Sequence, residues 1–276
     1  MSDDFPVDGE SGDTSSGSAQ AIRPPSQWLT LAEPSRAGLE ALGLFTLAPL
    51  LALAPRGDGH TVLVLPGFAT SDHATALLRR FLVRRGYDAR SWDLGWNLDH
   101  KTVGEQGEII TARIRALWEE SGRTVSLVGW SLGGVIAREA ARRVPDGVRN
   151  VITLGSPFAG DPSANAVRGL YERLSGNIID SPTTRARYAA GGQPLPVPSS
   201  AVFSRTDGIA AWRNCIGIEN EINENVEVVS SHFGLVVNPA VLHLVADRLA
   251  QPETGWQRFR RPGALAFLYP DTPVEN

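Results

Sequence analysis

The sequence predicts an α/β protein with a mostly parallel central sheet of about six strands and helices on both of its faces. Three observations predict it. Short runs rich in β-branched residues recur from residue 60 onward, at 61–65, 87–92, 124–128, 150–154, 201–204 and 226–229. Segments with apolar residues at helical spacing lie between them, at 74–85, 106–120 and 132–143, and a further one at 239–249 opens on the proline favoured in a first helical turn. The runs are nearly all apolar rather than alternating, as in strands covered on both faces, which is the parallel arrangement.

The bulk properties fit that class. The chain has 276 residues, 42% hydrophobic and 20% charged, enough for a core that needs no disulfide or metal. Cys215 is the only cysteine, so neither an internal disulfide nor a thiolate metal cluster can form. The formal net charge is -4, with both signs mixed along the chain, and the basic footprint of a nucleic-acid binder is missing. The pairs Arg79-Arg80 and Arg84-Arg85 lie among apolar residues at helical spacing and read as a solvated helix face.

Residues 1–25 are acidic and rich in Gly and Ser, the composition of a flexible tail. The start has neither the basic region nor the apolar run of a secretory signal. The most apolar stretch, 41–54, is too short to span a bilayer and contains Pro49. The expectation is a cytoplasmic protein without stable membrane insertion. Residues 26–252 read as a single domain, followed by a C-terminal extension at 253–276. Within 26–55, Leu39, Leu42, Leu44 and Phe45 make a helical segment apolar on more than one face, expected to pack onto the body. Residues 160–198 break the rhythm, with a helix near 164–174 and then a stretch rich in Pro, Gly and Ser. They form either a mobile lid over the site or a static surface excursion.

Ligands of parallel sheets bind beyond the carboxyl ends of the strands, so chemistry is expected in the loops there. Gly129-Trp130-Ser131-Leu132-Gly133 has the form G-x-S-x-G, entered directly from the strand at 124–128 and left directly into a helix. Such a tight turn needs small residues two before and two after the serine, and it holds the hydroxyl beside a helix N-terminus that favours developing negative charge. A serine attacking a carbonyl creates an oxyanion, which two backbone N–H groups should meet. The candidates are those of Leu132, after the nucleophile, and Phe68, in the loop Leu65-Pro66-Gly67-Phe68 after the first strand.

Of five histidines, His232 alone follows a late strand. His60 precedes a strand, His243 falls in a helix, and His73 and His100 are left as residues near the site. The orienting carboxylate should follow the preceding strand, where Asp207 stands in Ser-Arg-Thr-Asp-Gly. Asp161, Asp180, Glu219, Glu221 and Glu224 are the fallback acids. A buried Asp207 would fix the imidazole tautomer and stabilise the imidazolium.

With its nucleophile, acid and base in the order Ser131, Asp207, His232, the chain resembles the α/β-hydrolase superfamily, in particular its compact esterase and lipase-like members. The resemblance covers about residues 60–250. Thr153-Leu154-Gly155-Ser156-Pro157-Phe158 is similar to the TxGSPH stretch of bacterial lipases, with Phe158 in place of the histidine. Pro66-Gly67 stands where many lipases carry His-Gly. The departures point to esters broadly rather than to triacylglycerols, and the resemblance implies neither cofactor nor metal.

Trp130, Phe158 and Phe233, with Phe68 and Leu132, and Trp96 and Trp212 beyond them, form the expected apolar substrate pocket. The small-molecule substrate is then an apolar ester, cleaved through an acyl-serine. The same triad also serves thioester cleavage, acyl transfer or carbon–carbon hydrolysis, and a non-catalytic binding module on the same scaffold is the reading from another class.

Overall fold

Alternate side chains of an extended chain leave on opposite faces, and all five residues of the run at 61–65 are buried. Val62 and Val64 enter one core, Leu63 and Leu65 another. The computed structural model, which describes residues 22–166, 168–176 and 178–270, meets this two-sided demand with a single six-stranded sheet, every pairing parallel. Its strands are β1 (Thr61–Leu65), β2 (Asp88–Ser91), β3 (Val125–Trp130), β4 (Val148–Leu154), β5 (Ser199–Phe203) and β6 (Asn223–Glu227), in the order β2-β1-β3-β4-β5-β6. The tail expected at 1–25 lies outside the described residues up to position 21, and the end of the expected C-terminal extension does so from 271.

The helices are α1 (Gln27–Thr46), α2 (Ala48–Leu51), α3 (Ala76–Arg84), α4 (His100–Val103), α5 (Glu108–Ser121), α6 (Leu132–Arg143), α7 (Arg168–Ser175), α8 (Pro182–Gly191) and α9 (Pro239–Leu249). Leu78 and Leu82 of α3 and the apolar side of α9 cover the face that carries Val62, Val64, Val128 and Ile152. Ile110, Ile114 and Leu117 of α5, with Val135 and Ile136 of α6, cover the face that carries Leu63, Leu65 and Leu127. At the start of α9 the Asn238 side chain accepts the N–H of Ala240 and Pro239 takes the first helical position, a pairing that sets a helix start sharply. No helix of the described residues is long and apolar enough to cross a membrane.

From β1 the chain steps one way to β2 and the other way to β3. That reversal opens a crevice at the carboxyl ends of β1 and β3, where the loops bearing Phe68 and Ser131 meet.

Three expectations need correcting. The stretch after 174 holds a helix beyond the one expected near 164–174, α8 at Pro182–Gly191. Ser181 caps it by accepting from Thr184 N at 3.2 Å, and Pro182 sits in its first turn, a start signal hidden by the Pro- and Gly-rich surroundings. The last strand is Asn223–Glu227 rather than 226–229. As an edge strand it tolerates polar residues, and the Asn223 side chain pairs with the backbone of Leu195. Finally, α1 packs on the body through polar residues as well as through Ala41 and Leu44, which lie against the core. Glu33 is buried, whereas Trp28, Leu31, Leu39 and Leu42 are exposed.

The insertion carrying α7 and α8 is fastened to the body by a partly buried ion-pair cluster centred on Asp99. Arg187 of α8 makes a bidentate contact with Asp99, at 2.8 and 3.1 Å, and also donates to Glu139 of α6 at 3.0 Å. Tyr171 of α7 donates to the same Asp99, whose side chain is 1% exposed. Removing one member of such a pair leaves the other charge desolvated. Arg187→Ala is therefore expected to lower the unfolding free energy by about 3 kcal/mol, read by urea denaturation, and to make the α7–α8 segment the first site of limited proteolysis.

Candidate active site

Ser131 stands where β3 gives way to α6, at φ 53° and ψ −126°, in the left-handed half of backbone space that a residue with a side chain enters only when held there. The holding is steric. A Cβ on Gly129 would lie 2.4 Å from the backbone of Gly134, and one on Gly133 would lie 2.4 Å from the Leu65 carbonyl oxygen. Neither site has room for a side chain. Ser131 N–H is fixed by the Leu154 carbonyl at 2.9 Å, which leaves the hydroxyl as the free end of the turn.

The structure brings the three predicted residues together. His232 Nε2 lies 3.0 Å from Ser131 Oγ, and His232 Nδ1 lies 2.7 Å from Asp207 Oδ2. Because a carboxylate only accepts, Nδ1 carries the ring proton and Nε2 is left to accept from the serine. The other oxygen of Asp207 accepts the N–H groups of Ile209 and Ala210, each at 2.8 Å. Asp207 and His232 are each only 3% exposed. Burial disfavours the charged imidazolium, but the charge of Asp207, its hydrogen bond and then the charge of Glu33 outweigh it, so the pKa of His232 is raised above the usual 6.5.

The loop after β1 closes on the serine from the other side. A Cβ on Gly67 would lie 2.9 Å from Trp130 Cε3 and 3.2 Å from Ser131 Cβ, so a side chain there would crowd both residues. Asn97, fully buried and missed from sequence, anchors this loop by donating to the Pro66 carbonyl at 2.7 Å and accepting from Ala69 N–H at 2.8 Å through its backbone. Among the described residues no protein acceptor takes the N–H of Phe68 or of Leu132, and Leu132 opens α6, where backbone N–H groups have no partner within the helix.

Ser131 opens into a narrow cavity of about 70 Å³, lined mainly by apolar groups that include Phe68, Leu132, Val135, Pro157, Ile179 and Ile209. The insertion contributes Tyr171 and Tyr188 to its walls, and the Phe68 and Tyr171 rings sit 5.1 Å apart.

The three aromatics expected there are elsewhere. Trp130 follows the strand alternation onto the opposite face, into the core under α9, and its indole N–H donates to the His232 carbonyl at 3.0 Å. Phe158 is buried under the guanidinium of Arg138, 3.9 Å from its ring centre. Phe233 is 43% exposed and sets its ring edge-on to those of His232 and Trp130. Trp130 and Phe233 thus buttress the base rather than line the cavity.

Three of the fallback acids are engaged elsewhere. Asp161 caps a short turn at Ser163, Asp180 pairs with Arg168, and Glu224 pairs with Arg248. His243 is buried against Tyr269. The buried Cys215 thiol is pushed well above its usual pKa, first by burial and then by the charge of Asp207, and it stays a thiol. Among the described residues no group of three or more His, Cys, Asp or Glu could hold a metal ion.

No protein-family model and no curated protein matches the sequence. Solved structures do match. Lipase B of Aspergillus fumigatus aligns at TM-score 0.56 and 20% identity over 70% of this chain, which spans about half (53%) of that longer chain. Lipase BlEst2 of Bacillus licheniformis, in mature form, aligns at 0.53 and 17% identity, over 71% of this chain and 94% of its own. A lipase-esterase related protein from Clostridium acetobutylicum aligns at 0.50 and 14%, over 70% and 95%. The likeness is one of fold, and the chain has the α/β-hydrolase fold.

Gly155, in the turn after β4, has φ +55°, and a Cβ there would lie 2.4 Å from Leu235 Cδ1 and 3.0 Å from Asp207 Oδ2. Gly155→Ala is therefore expected to cost about 1–3 kcal/mol of stability. It should also lengthen the Asp207–His232 bond, so that the His232 pKa, followed by NMR titration, moves down relative to the parent protein.

Proposed function

We propose that the protein is a serine hydrolase that cleaves carboxylic esters of apolar acyl or alcohol groups through an acyl-Ser131 intermediate. The observation that carries this reading is the continuous relay Ser131–His232–Asp207, at 3.0 and 2.7 Å, opening on an apolar cavity. His232 Nε2 takes the Ser131 proton as Oγ attacks the ester carbonyl. The N–H groups of Leu132 and Phe68 receive the oxyanion, aided by the amino end of α6. The imidazolium, held by Asp207, then protonates the departing alcohol. Water, deprotonated by His232, attacks the acyl carbonyl and frees Ser131 and the acid. Two of the structures sharing the fold are lipases by name, which is in keeping with an apolar ester substrate.

Ser131→Ala should abolish both labelling by a fluorophosphonate probe and turnover of p-nitrophenyl esters, and turnover that survives the substitution would sink the proposal. Asp207→Asn should leave the fold intact and lower kcat by about 10⁴-fold, because the amide no longer selects the Nδ1–H tautomer.

The pH profile follows from the raised pKa of His232. Only the neutral imidazole is a base, and protonation persists to higher pH than in a free imidazole. The acid limb of kcat/KM should therefore have its midpoint above 6.5. A p-nitrophenyl ester series measured from pH 5 to 9 reads it directly.

A further inference from the structure

The acid and the base sit on loops that leave different strands, and their separation in space must be fixed to a fraction of an ångström for the relay to work. Backbone N–H groups at the root of both loops point toward α1. Glu33, whose side chain is 1% exposed, accepts three of them. Its Oε1 takes the N–H of Gly208 at 2.7 Å and that of His232 at 3.0 Å, and its Oε2 takes that of Phe233 at 3.1 Å. Gly208 directly follows the acid, and His232 is the base itself. One carboxylate therefore spans both loops.

Two helical turns on, Glu40 repeats the arrangement on the base loop alone. It accepts from Ser231 N–H at 2.7 Å and from Asn238 Nδ2 at 2.9 Å, and also from the Ser230 hydroxyl. Thr30 donates to the Gly208 carbonyl at 2.6 Å, and Arg36 donates to the Thr206 carbonyl at 2.6 Å. The fit is close: a Cβ on Gly208 would lie 2.5 Å from the Leu29 backbone, and one on Gly234 would lie 2.1 Å from Glu40 Oε2. Buried N–H groups need acceptors, and ionised acceptors bind them more strongly than neutral ones.

We propose that Glu33 is a positioning residue of the active site, bridging the Asp207 and His232 loops from α1 and placing a second negative charge behind the imidazole that forms the cation. The inference rests on the reading of Ser131, His232 and Asp207 as the catalytic set. The charged groups that bear on His232 are Asp207 from its own side of the sheet and Glu33 from α1. Arg36 lies 3.7 Å from Glu33 as its partial counter-charge. The charge of Glu33 adds to that of Asp207 in raising the His232 pKa.

The test is Glu33→Gln in the full chain, which keeps the size of the side chain, removes its charge and turns one acceptor into a donor. With a p-nitrophenyl ester, kcat should fall about 10–100-fold while KM stays within about twofold, as for a misplaced catalytic group. The acid limb of kcat/KM should move to lower pH, and fluorophosphonate labelling of Ser131 should slow in proportion to kcat. Glu33→Asp, which keeps the charge but shortens the reach, should lower kcat while leaving the acid limb in place.

A folded Glu33→Gln protein with unchanged kcat and unchanged acid limb overturns the inference. If that variant does not fold, an unchanged kcat in Glu33→Asp does so. Wild-type protein that neither takes the probe nor turns over esters is a different failure, and it falls on the proposed function.

Discussion

Ser131 occupies its left-handed backbone position because two rigid bodies meet there and neither can yield. β3 is locked between β1 and β4 by parallel ladders, and α6 is pressed so close to the end of β1 that only Gly133 fits against the Leu65 carbonyl. A residue at φ 53° costs on the order of 1–3 kcal/mol. That cost is met by the two cores, which hold strand and helix in place whatever the turn between them prefers. The consequence is chemical. The hydroxyl is lifted clear of the sheet, next to the unpaired N–H groups of a helix start, and is reachable from the crevice that the strand order opens between β1 and β3.

The other half of the site faces a different difficulty. Asp207 and His232 are almost fully buried, and the loops that carry them turn backbone N–H groups inward, away from water. Those groups are satisfied largely by carboxylates: Asp207 takes two, Glu33 three and Glu40 one. Neutral carbonyls could have served. Anions bind the loops more tightly and also bias the nearby imidazole toward its cation, so the same bonds that set the geometry set the basicity. This puts buried carboxylates on the inner side of α1 beside Ala41 and Leu44, and leaves Trp28, Leu31, Leu39 and Leu42 outside, a departure from the usual surface helix.

The elements that were legible in the sequence are those whose signal is local. The nucleophile turn shows itself as a strand, two spaced glycines and a helix in immediate succession. Asp207 and His232 are found by their position after late strands, because a parallel sheet sends every such loop to one edge. Trp130 was misplaced although its strand parity was available: it is two residues from Val128, and both lie in the same core. Phe158 depends on how the turn after β4 bends, and no pattern encodes that bend. The start of α8 was present as Ser181-Pro182 but masked by its composition. Glu33 carries the faintest mark of all. Between residues 27 and 55 the only charged residues are Glu33, Arg36 and Glu40, and their spacing puts them on one helix face. A charged face on a helix normally turns to water, and here it turns to the protein because that is where the unpaired N–H groups are.

The chain contains a second serine–histidine–aspartate chain, and it differs from the first in its surroundings. At the opposite end of the sheet, His60 lies 2.8 Å from Ser126 Oγ and bonds Asp58 through its other ring nitrogen. The connectivity is that of the first triad. Ser126, however, lies within β3 with its side chain fully buried, so no carbonyl can approach it. Among the described residues no helix begins at Ser126, which lies inside the strand. Burial there dominates and lowers the His60 pKa, whereas His232 is raised by the carboxylates around it. In the buried trio the imidazole only satisfies polar groups inside the fold. At Ser131 the strained turn, the amides without a protein acceptor and the second carboxylate behind the imidazole are what the buried trio lacks, and the proposed chemistry rests on them.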